Sequence, residues 1–342
     1  MEKKLFGILD TGAEIYEYTL KNEDAEVSII TYGGAIRKFT VFGTDIVGGY
    51  DTLDAYIADD SHQGGIIGRV ANRVGGASFT MDGKLYPLPK NDGENCLHGG
   101  EGFDRRVWSL AEYSEADKPE NYGKESITLT YVSKDGEEGF PAELAIAVCY
   151  TLHGTALGIS YVAIPCGKTP ISLTNHAYFN LNGLGGNVLS HEIEIFADSY
   201  TSVGEDLIPD GNRPSVSGTA MDFLTPHAIG ERIGEVAGGY DHNYILSPSE
   251  YINLGNIKLG LAARVKGDKL MMNVYTDRPG IQFYTGNFLG GAPDFKGGVK
   301  RIKHGAFCLE TQTEPNAINN GLGFFNEGEI YSHNTLYSIE RK

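Results

Sequence analysis

The stretch ELAIAVCYTLHGTALGISYVAI, residues 143–164, contains two strand-like runs with a turn signal between them. Apolar, β-branched and aromatic residues fill the runs 143–152 and 157–164, and LHGTALG separates them. Runs of this kind, bounded by glycine turns, predict β-strands. The same pattern recurs in EVSIITYG (26–33), SITLTYV (126–132), HEIEIFA (191–197) and LMMNVYT (270–276).

Helical patterns are scarce, and only LDAYIADD (53–60) is compatible with a short helix. A TIM barrel or a doubly wound fold would need a helix pattern after each strand. Glycine is abundant, at 46 of 342 residues, whereas about 7% is usual. The sequence therefore predicts an all-β chain, folded as one large antiparallel β-sandwich domain over residues 1–342.

Two polar stretches interrupt the strand pattern. SEADKPENYGKES (114–126) is predicted to be a loop. IPDGNRPSVSGTAMD (208–222) is too long for a hairpin turn, which makes it a candidate functional loop.

The formal net charge is −17, which disfavours nucleic acid and anionic membranes as partners because both require a positive patch. The N-terminus lacks the apolar region of about 7–15 residues found in a secretory signal, and no stretch approaches the ~18 apolar residues of a membrane span.

The four cysteines form no C-x-x-C pair and are interpreted as reduced thiols, which predicts a cytoplasmic protein. The sequence leaves a monomer and a homodimer equally open.

Motifs for several kinds of chemistry are incomplete. CGKTP (166–170) lacks the first glycine of a phosphate-binding loop, because that position is Val162. HEIEI (191–195) lacks the second histidine of a zinc-protease motif, and NGLGGN (182–187) does not complete G-x-G-x-x-G. No G-x-S-x-G elbow is present. The sequence therefore predicts no metal, no nucleotide, no other cofactor and no serine nucleophile.

The stretch LTNHAYFNLNG (173–183) places a histidine in a predicted strand. Strand side chains alternate between two faces. The polar face carries His176, Tyr178 and Asn180, and the apolar face carries Ala177, Phe179 and Leu181.

FCLETQ (307–312) has a similar division, with Glu310 on the face shared by Cys308 and Gln312. Desolvation on this partly apolar strand is expected to raise the pKa of Glu310 toward that of a useful base. In GIQFYTGNF (280–288), Gln282 and Tyr284 share a face. Aromatic, amide and carboxylate groups together suit sugars, which have apolar C–H faces and hydroxyl rims.

Eight short stretches, in this order, resemble the motifs of the aldose 1-epimerases, or galactose mutarotases. They are GGYDTLDAY (48–56), GRVANR (68–73), CLHGGEGFDRRVW (96–108), NHAYFNLNG (175–183), SYTSVGEDLIPDG (199–211), GYDHNY (239–244), GIQFYTGNF (280–288) and LETQ (309–312). The resemblance covers nearly the whole chain and implies a β-supersandwich with a sugar groove on one face. One departure is Cys96, where a serine is common in this family.

The resemblance also implies roles for individual residues. His176 would be the general acid and Glu310 the general base. The implied sugar contacts are His98 near the ring oxygen, Arg73 and Asn72 on hydroxyl groups, Asp241 as a hydroxyl acceptor, and Gln282 and Tyr178 at the rim.

The implied reaction removes a proton from the C1 hydroxyl and delivers one to the ring oxygen. A carboxylate and an imidazolium suit these two steps, and histidine normally titrates near working pH. Three alternatives remain open at this point: a sugar-phosphate epimerase, a carbohydrate-binding module without catalysis, and a glycosidase that uses Glu310 and Asp241 as its two carboxylates.

Overall fold

A computed structural model describes residues 1–113 and 125–342. The loop predicted at 114–126 therefore lies almost entirely outside the described residues. Strands dominate the described part, and in chain order they are β1 Glu2–Ile8, β2 Glu14–Lys21, β3 Ala25–Ile30, β4 Ile36–Val41, β5 Thr44–Asp45, β6 Ile66–Ile67, β7 Arg73–Val74, β8 Ser78–Met81, β9 Lys84–Pro87, β10 Cys96–Leu97, β11 Ser109–Leu110, β12 Ser126–Ser133, β13 Leu144–His153, β14 Ala156–Pro165, β15 Thr169–Pro170, β16 Thr174–Asn175, β17 Glu192–Ile195, β18 Ser199–Tyr200, β19 His227–Ala228, β20 Asp241–Ile245, β21 Tyr251–Leu254, β22 Ile257–Lys266, β23 Leu270–Thr276, β24 Gly280–Tyr284, β25 Gly291–Phe295, β26 Val299–Arg301, β27 Cys308–Gln312, β28 Phe324–Phe325 and β29 Tyr331–Arg341.

Helices are short. The predicted helix at residue 53 is confirmed as α1, Leu53–Ile57, which begins where the Thr52 hydroxyl accepts a hydrogen bond from the Ala55 N–H. The other α-helix in the described residues is α2, Ile229–Arg232. Single 3₁₀ turns occur at Gly75–Ala77, Phe103–Arg105, Glu137–Gly139, Ile233–Glu235, Lys296–Gly298 and Ala317–Asn320. No helix in the described ranges is long and apolar enough to cross a membrane.

The largest sheet confirms the strands predicted from residues 143–164. β13 and β14 pair antiparallel along their whole length, from Leu144 opposite Pro165 to His153 opposite Ala156. The full sheet has the order β11-β12-β13-β14-β29-β23-β22-β17-β19, with β21 also paired to β22. Alternate residues of β13 are buried, which is the pattern of a sheet that covers a core with one face.

Two further sheets pack with this one around a shared core. One is a five-stranded meander, β1-β2-β3-β4-β5, and the other has the order β18-β20-β24-β27. The largest hydrophobic cluster joins Phe39 of β4, Val148 of β13, Phe283 of β24 and Leu309 of β27. The predicted all-β sandwich is confirmed.

The four-stranded sheet positions polar groups because its residues stay in register. Asp241 lies opposite Tyr284, which lies opposite Cys308. In the next row on the same face, Gln282 lies opposite Glu310. This face is the one predicted from FCLETQ, since Leu309 and Phe283 point into the main core instead.

The histidine stretch at 173–183 differs from the prediction, because only β16 is a regular strand there. Beyond β16 the backbone bonds to several segments in turn: the carbonyl of His176 accepts from Gly64, that of Tyr178 accepts from Gly48, and Phe179 pairs with Phe307. No single neighbouring strand continues the ladder. The chain stays extended all the same, so His176 and Tyr178 still point away from the core face that holds Phe179.

The predicted loop at 208–222 is irregular, as expected, and is tied down by isolated bridges from Pro209 to Val203 and from Ser215 to Ser199. None of its residues lines the cavity described below. A direct functional role for this loop therefore stays a prediction.

Candidate active site

A cavity of about 160 Å³ opens beside the four-stranded sheet. Its lining combines histidines, carboxylates and aromatic rings: Asp60, Ser61, His62, Asn72, Arg73, Leu97, His98, His176, Tyr178, Asp241, Tyr284, Phe288, Leu289 and Glu310. Seven of the eight residues singled out from the sequence are brought together here. The eighth, Gln282, is not part of the lining.

His176 and Glu310 lie close together in the lining. Nε2 of His176 lies 3.6 Å from Oε1 of Glu310, and Glu310 is only 2% exposed. The other carboxyl oxygen, Oε2, is buried without a hydrogen-bond partner. The second ring nitrogen of His176, Nδ1, lies 3.5 Å from the Cys308 thiol. Because a buried polar atom without a partner is costly, the unpartnered Oε2 adds to the cost of a charged Glu310 carboxylate.

The pKa values of this pair move in opposite directions. Burial raises the pKa of Glu310 well above its usual value, and the nearby Asp241 carboxylate adds to the effect. Burial lowers the pKa of His176 to about 3, and the positive charge of His62 adds to it. The expectation for Glu310 is confirmed in direction, whereas the expectation that His176 titrates near working pH is wrong for the site without sugar. That site favours a protonated Glu310 and a neutral His176.

His98 is held in place by Asn72, the residue before Arg73. β7 and β10 pair with Arg73 opposite Leu97, which places His98 beside Asn72. The Asn72 N–H donates to Nδ1 of His98 at 3.1 Å, and the His98 N–H donates to the Asn72 carbonyl at 3.1 Å. A neutral His98 ring therefore carries its proton on Nε2, as a donor. Burial lowers the pKa of His98 well below its usual value, so this neutral form is the favoured one.

Arg73 and Asp241 are held by other residues more than by each other. Nε of Arg73 donates to Asp92 at 2.7 Å, while Nη1 of Arg73 is 3.9 Å from Oδ2 of Asp241. Oδ1 of Asp241 accepts from Nε2 of Gln282 at 2.7 Å. Gln282 in turn accepts from Gln312 at 3.4 Å. Gln282 was expected at the rim, but it is 3% exposed and lies behind Asp241, where it fixes that carboxylate.

Comparisons with known proteins match the chain from end to end. The family model for aldose 1-epimerase matches residues 16–338. The chain belongs to the aldose 1-epimerase family.

Individual members of the family support this assignment. A galactose mutarotase from Bos taurus is 40% identical over 98% of this chain and 98% of its own. An aldose 1-epimerase from Escherichia coli K12 is 35% identical over 81% of this chain and 79% of its own. The crystal structure of a galactose 1-epimerase from Lactobacillus acidophilus NCFM superimposes with a TM-score of 0.84 at 26% identity, covering 99% of this chain and 98% of that one. As an aldose 1-epimerase, the protein is an isomerase that interconverts the anomers of aldoses.

Residues that the sequence motifs did not assign also line this epimerase's cavity. His62 lies between the turn at Asp60 and the buried strand β6, and its Nδ1 is 2.8 Å from Oδ2 of Asp104. Tyr284 follows Gln282 on the same strand face and reaches the cavity where Gln282 does not. The feature of the sequence that could have indicated His62 is its place in SHQGG (61–65), a short polar stretch that precedes the GRVANR motif (68–73).

One group of side chains in the described residues has the spacing of a metal site. Ligand atoms of His98, His176 and Glu310 lie within 4.8 Å of one another. His98 is poorly prepared for such an ion, because Nδ1 already accepts from Asn72 and Nε2 carries the proton. Coordination through Nε2 would move that proton to Nδ1 and break the bond with Asn72. The expectation that the epimerase needs no metal stays a prediction.

Proposed function

We propose that this epimerase interconverts the α and β anomers of free hexoses such as galactose and glucose, with Glu310 as general base and His176 as general acid. The observation that carries this proposal is the buried Glu310 carboxyl, which belongs to the cavity lining and whose Oε1 is 3.6 Å from Nε2 of His176. Galactose is favoured as a substrate because the bovine relative is named a galactose mutarotase.

The separation of the two groups suits ring opening. The C1 hydroxyl oxygen and the ring oxygen are both bonded to C1, so the base and the acid must be neighbours. Glu310 takes the proton of the C1 hydroxyl as the bond between C1 and the ring oxygen breaks, and His176 gives a proton to that ring oxygen. The product is the open aldehyde. After rotation about the C1–C2 bond, the reverse transfers close the ring on the other face of C1 and restore both groups.

This mechanism requires a proton to move from Glu310 to His176 before the sugar ring opens. The site without sugar favours the proton on Glu310, whereas the mechanism needs it on His176. The transfer covers the 3.6 Å between Oε1 and Nε2 and leaves the net charge of the pair unchanged. A sugar hydroxyl that donates to the Glu310 carboxyl stabilises the carboxylate form, as does the positive charge of Arg73, which lowers the pKa of Glu310. Binding of the sugar thus favours the charged form of the pair, which ring opening requires.

The remaining residues hold the sugar. Nε2 of His98 is a donor near the ring oxygen, Arg73 is a permanently charged donor fixed by Asp92, and Asp241 is an acceptor fixed by Gln282. Asn72 and Tyr178 supply further contacts with the sugar. Arg73 is the sole arginine or lysine in the described lining, against the three carboxylates of Asp60, Asp241 and Glu310. A phosphate group is best held by several arginine or lysine side chains, so this lining favours a free sugar.

Polarimetry of freshly dissolved α-galactose and α-glucose tests the proposal, with hydrolysis of an aryl galactoside measured on the same preparation. We expect a faster approach to the equilibrium rotation and no release of the aryl group. Release of the aryl group would favour the two-carboxylate glycosidase. Calorimetric binding of galactose without any acceleration would favour a carbohydrate-binding module.

We also propose that residues 1–342 form one domain, supported by a hydrophobic cluster that joins residues from Tyr18 to Ile339. The cytoplasmic location expected from the cysteine content stays a prediction. So does the expectation of a monomer or a homodimer.

A further inference from the structure

A second histidine–carboxyl pair, His62 and Asp104, lies beside the cavity. His62 lines the cavity, and its Nδ1 is 2.8 Å from Oδ2 of Asp104. Both side chains are largely withdrawn from solvent, with 16% and 5% of their surfaces exposed. Within the described residues, this bond to Asp104 is the one hydrogen bond of the His62 ring, so Nε2 is free for a ligand.

The loop that carries His62 is built to hold it in place. Oδ1 of Asp59 accepts from the Tyr50 hydroxyl at 2.6 Å, from the Ser61 hydroxyl at 2.6 Å and from Arg301 at 3.0 Å. Oδ2 of Asp59 accepts from the backbone of Gln63 at 2.9 Å. The residues on both sides of His62 are therefore anchored to one buried carboxylate, which leaves the ring little freedom to move.

The ring of His62 also contacts the other histidines of the site. Its centroid is 4.6 Å from that of His98 and 5.9 Å from that of His176. A charge on His62 disfavours a charge on either neighbour, and the pKa of each is lowered in part by it. In the site without sugar, these shifts favour neutral His98 and His176 and a positive charge on His62, the ring that has a carboxylate partner.

Charged and titratable groups surround His62, and they do not all favour its protonated form, since the Arg105 charge opposes it. They are Asp59 and Asp60 on its own loop, Asp104 and Arg105 on the 3₁₀ turn at 103–105, Tyr32, His98 and His176. Burial alone acts to lower the pKa of His62, but the charge and hydrogen bond of Asp104 outweigh it and the pKa is raised. The pKa of Asp104 is lowered, because the charge and hydrogen bond of His62, together with the Arg105 charge, outweigh the opposing effect of burial.

We propose that His62, oriented by Asp104, is a further substrate-binding residue that donates a hydrogen bond from Nε2 to a hydroxyl oxygen of the bound sugar. The inference rests on the proposed function and adds a donor that the sequence motifs do not include. His62 adds a fixed cationic donor to a lining that also contains the acceptors Glu310 and Asp241, so the sugar meets both donors and acceptors. Asp104 does not reach the sugar and acts as a positioning residue.

Protonation of His62 gives this contact a pH dependence. A hydrogen bond from a charged donor is stronger than one from a neutral donor. When His62 loses its proton, Nε2 changes from a donor to an acceptor while Nδ1–H keeps its bond to Asp104. The KM for the sugar should therefore rise as the pH passes through the pKa of His62.

The test measures kcat and KM for α-galactose across pH for the wild type, His62→Gln and Asp104→Asn. We expect His62→Gln to raise KM roughly tenfold, since it replaces a charged donor by a neutral one, with a smaller change in kcat. Asparagine at 104 keeps an acceptor for Nδ1–H but removes the charge, so the pH at which KM rises should fall. His227→Gln is the matched control, because His227 pairs with Glu231 at 3.1 Å on the surface and lies outside the cavity.

The possible outcomes distinguish a failure of the His62 contact from a failure of the proposed function. If KM and its pH dependence stay at wild-type values in both variants while the wild type anomerises galactose, His62 is not a sugar contact and the proposed function stands. A purely structural role would lower the melting temperature without moving the pH at which KM rises, and that result also overturns the inference. Calorimetric titration with galactose is run in parallel, so that the contact is tested even if the wild type is inactive. Equal Kd values for the wild type and His62→Gln would reject the contact.

Discussion

Two histidine–carboxyl pairs line the same cavity and have opposite charge states. In the pair of His62 and Asp104, Nδ1 is 2.8 Å from the carboxylate and the pKa shifts favour an ion pair. In the pair of His176 and Glu310, the closest atoms are 3.6 Å apart and the shifts favour two neutral groups.

The difference shows what a direct hydrogen bond contributes in a buried site. Desolvation acts against the charged form of all four groups. At 2.8 Å the charge-assisted bond between His62 and Asp104 overcomes it, whereas at 3.6 Å the attraction between His176 and Glu310 does not. A fixed ion pair suits binding, because its donor stays constant. A pair that has no fixed charge, and whose closest atoms are 3.6 Å apart, suits proton transfer once bound sugar favours the charged form.

Replacing the base should have the largest effect. Glu310→Gln keeps size and some hydrogen bonding but cannot take a proton, so we expect turnover to fall by about 10²–10⁴-fold, as for a positioned base. Binding of galactose, followed by calorimetry, should persist. Turnover above about a tenth of the wild-type value would remove Glu310 from the role of base.

Changing the charges around Glu310 should alter binding and pH dependence together. Arg73→Ala removes a charged donor and should raise KM by roughly 10–100-fold. Because Arg73 lowers the pKa of Glu310 and Asp241 raises it, Arg73→Ala should move the acidic limb of the kcat profile to higher pH and Asp241→Asn should move it to lower pH.

Steady-state kinetics across pH separate this account from a structural one. If Arg73 and Asp241 served only as ion-pair partners, KM of the surviving enzyme would stay near the wild-type value and the acidic limb would not move. If Asp241→Asn kept KM but lost turnover as completely as Glu310→Gln, the base would be Asp241.

The two carboxyl-to-amide substitutions should change thermal stability in opposite directions. Glu310 has a raised pKa in the folded state, so its contribution to stability falls as pH rises above about 4.3, its unfolded pKa. Glu310→Gln removes that loss, and its melting temperature near neutral pH should exceed that of the wild type by a few degrees. The excess should shrink toward about pH 4.

Asp104→Asn should instead lower the melting temperature. The lowered pKa of Asp104 stabilises the fold above about pH 3.9, and the raised pKa of His62 stabilises it below about pH 6.5 and is lost as pH rises through the folded pKa. The deficit of the variant should therefore be largest between these limits and smaller in alkaline solution. Calorimetry of both variants across pH measures this, and shifts of the same sign for both would contradict the comparison.

Removal of metal ions should have no effect. His98, His176 and Glu310 have a spacing that could hold a cation, but the mechanism uses them as free groups. Dialysis against a chelator should leave the polarimetric rate unchanged. A lost rate that returns with a divalent ion would mean that the neutral pair is a metal site.

The fold was predictable from the sequence where a regular alternating or apolar pattern of residues continued along a whole strand. β13, β14 and β23 appear where alternating or apolar runs predicted them, because each pairs with regular neighbours along its length. For the segment around His176, the sequence predicted the face on which each side chain lies. It did not predict the partners of the backbone, since the backbone hydrogen bonds are divided among several distant segments.

The site was predictable where a strand fixed the side chains, as for Glu310 on β27. Gln282 was misplaced because strand alternation gives the face of a side chain but not its depth, and the amide reaches Asp241 before it reaches the cavity. His62 has no periodic signal, since it lies in a loop with a left-handed backbone angle, φ 56°. The low pKa of His176 depends on burial and on His62, both of which arise only from the tertiary fold.

The charge states of the two histidines can be measured directly by NMR of protein labelled with ¹⁵N in the histidine rings, since protonation changes the shifts of both ring nitrogens. Assignment would come from His62→Gln and His176→Asn. In the absence of sugar, between about pH 5 and about pH 8, we expect His62 to titrate above the ordinary midpoint of about 6.5 and His176 to stay neutral throughout. A neutral His62 at the acid end of this range, or a protonated His176, would contradict the assignment of one pair to binding and the other to proton transfer.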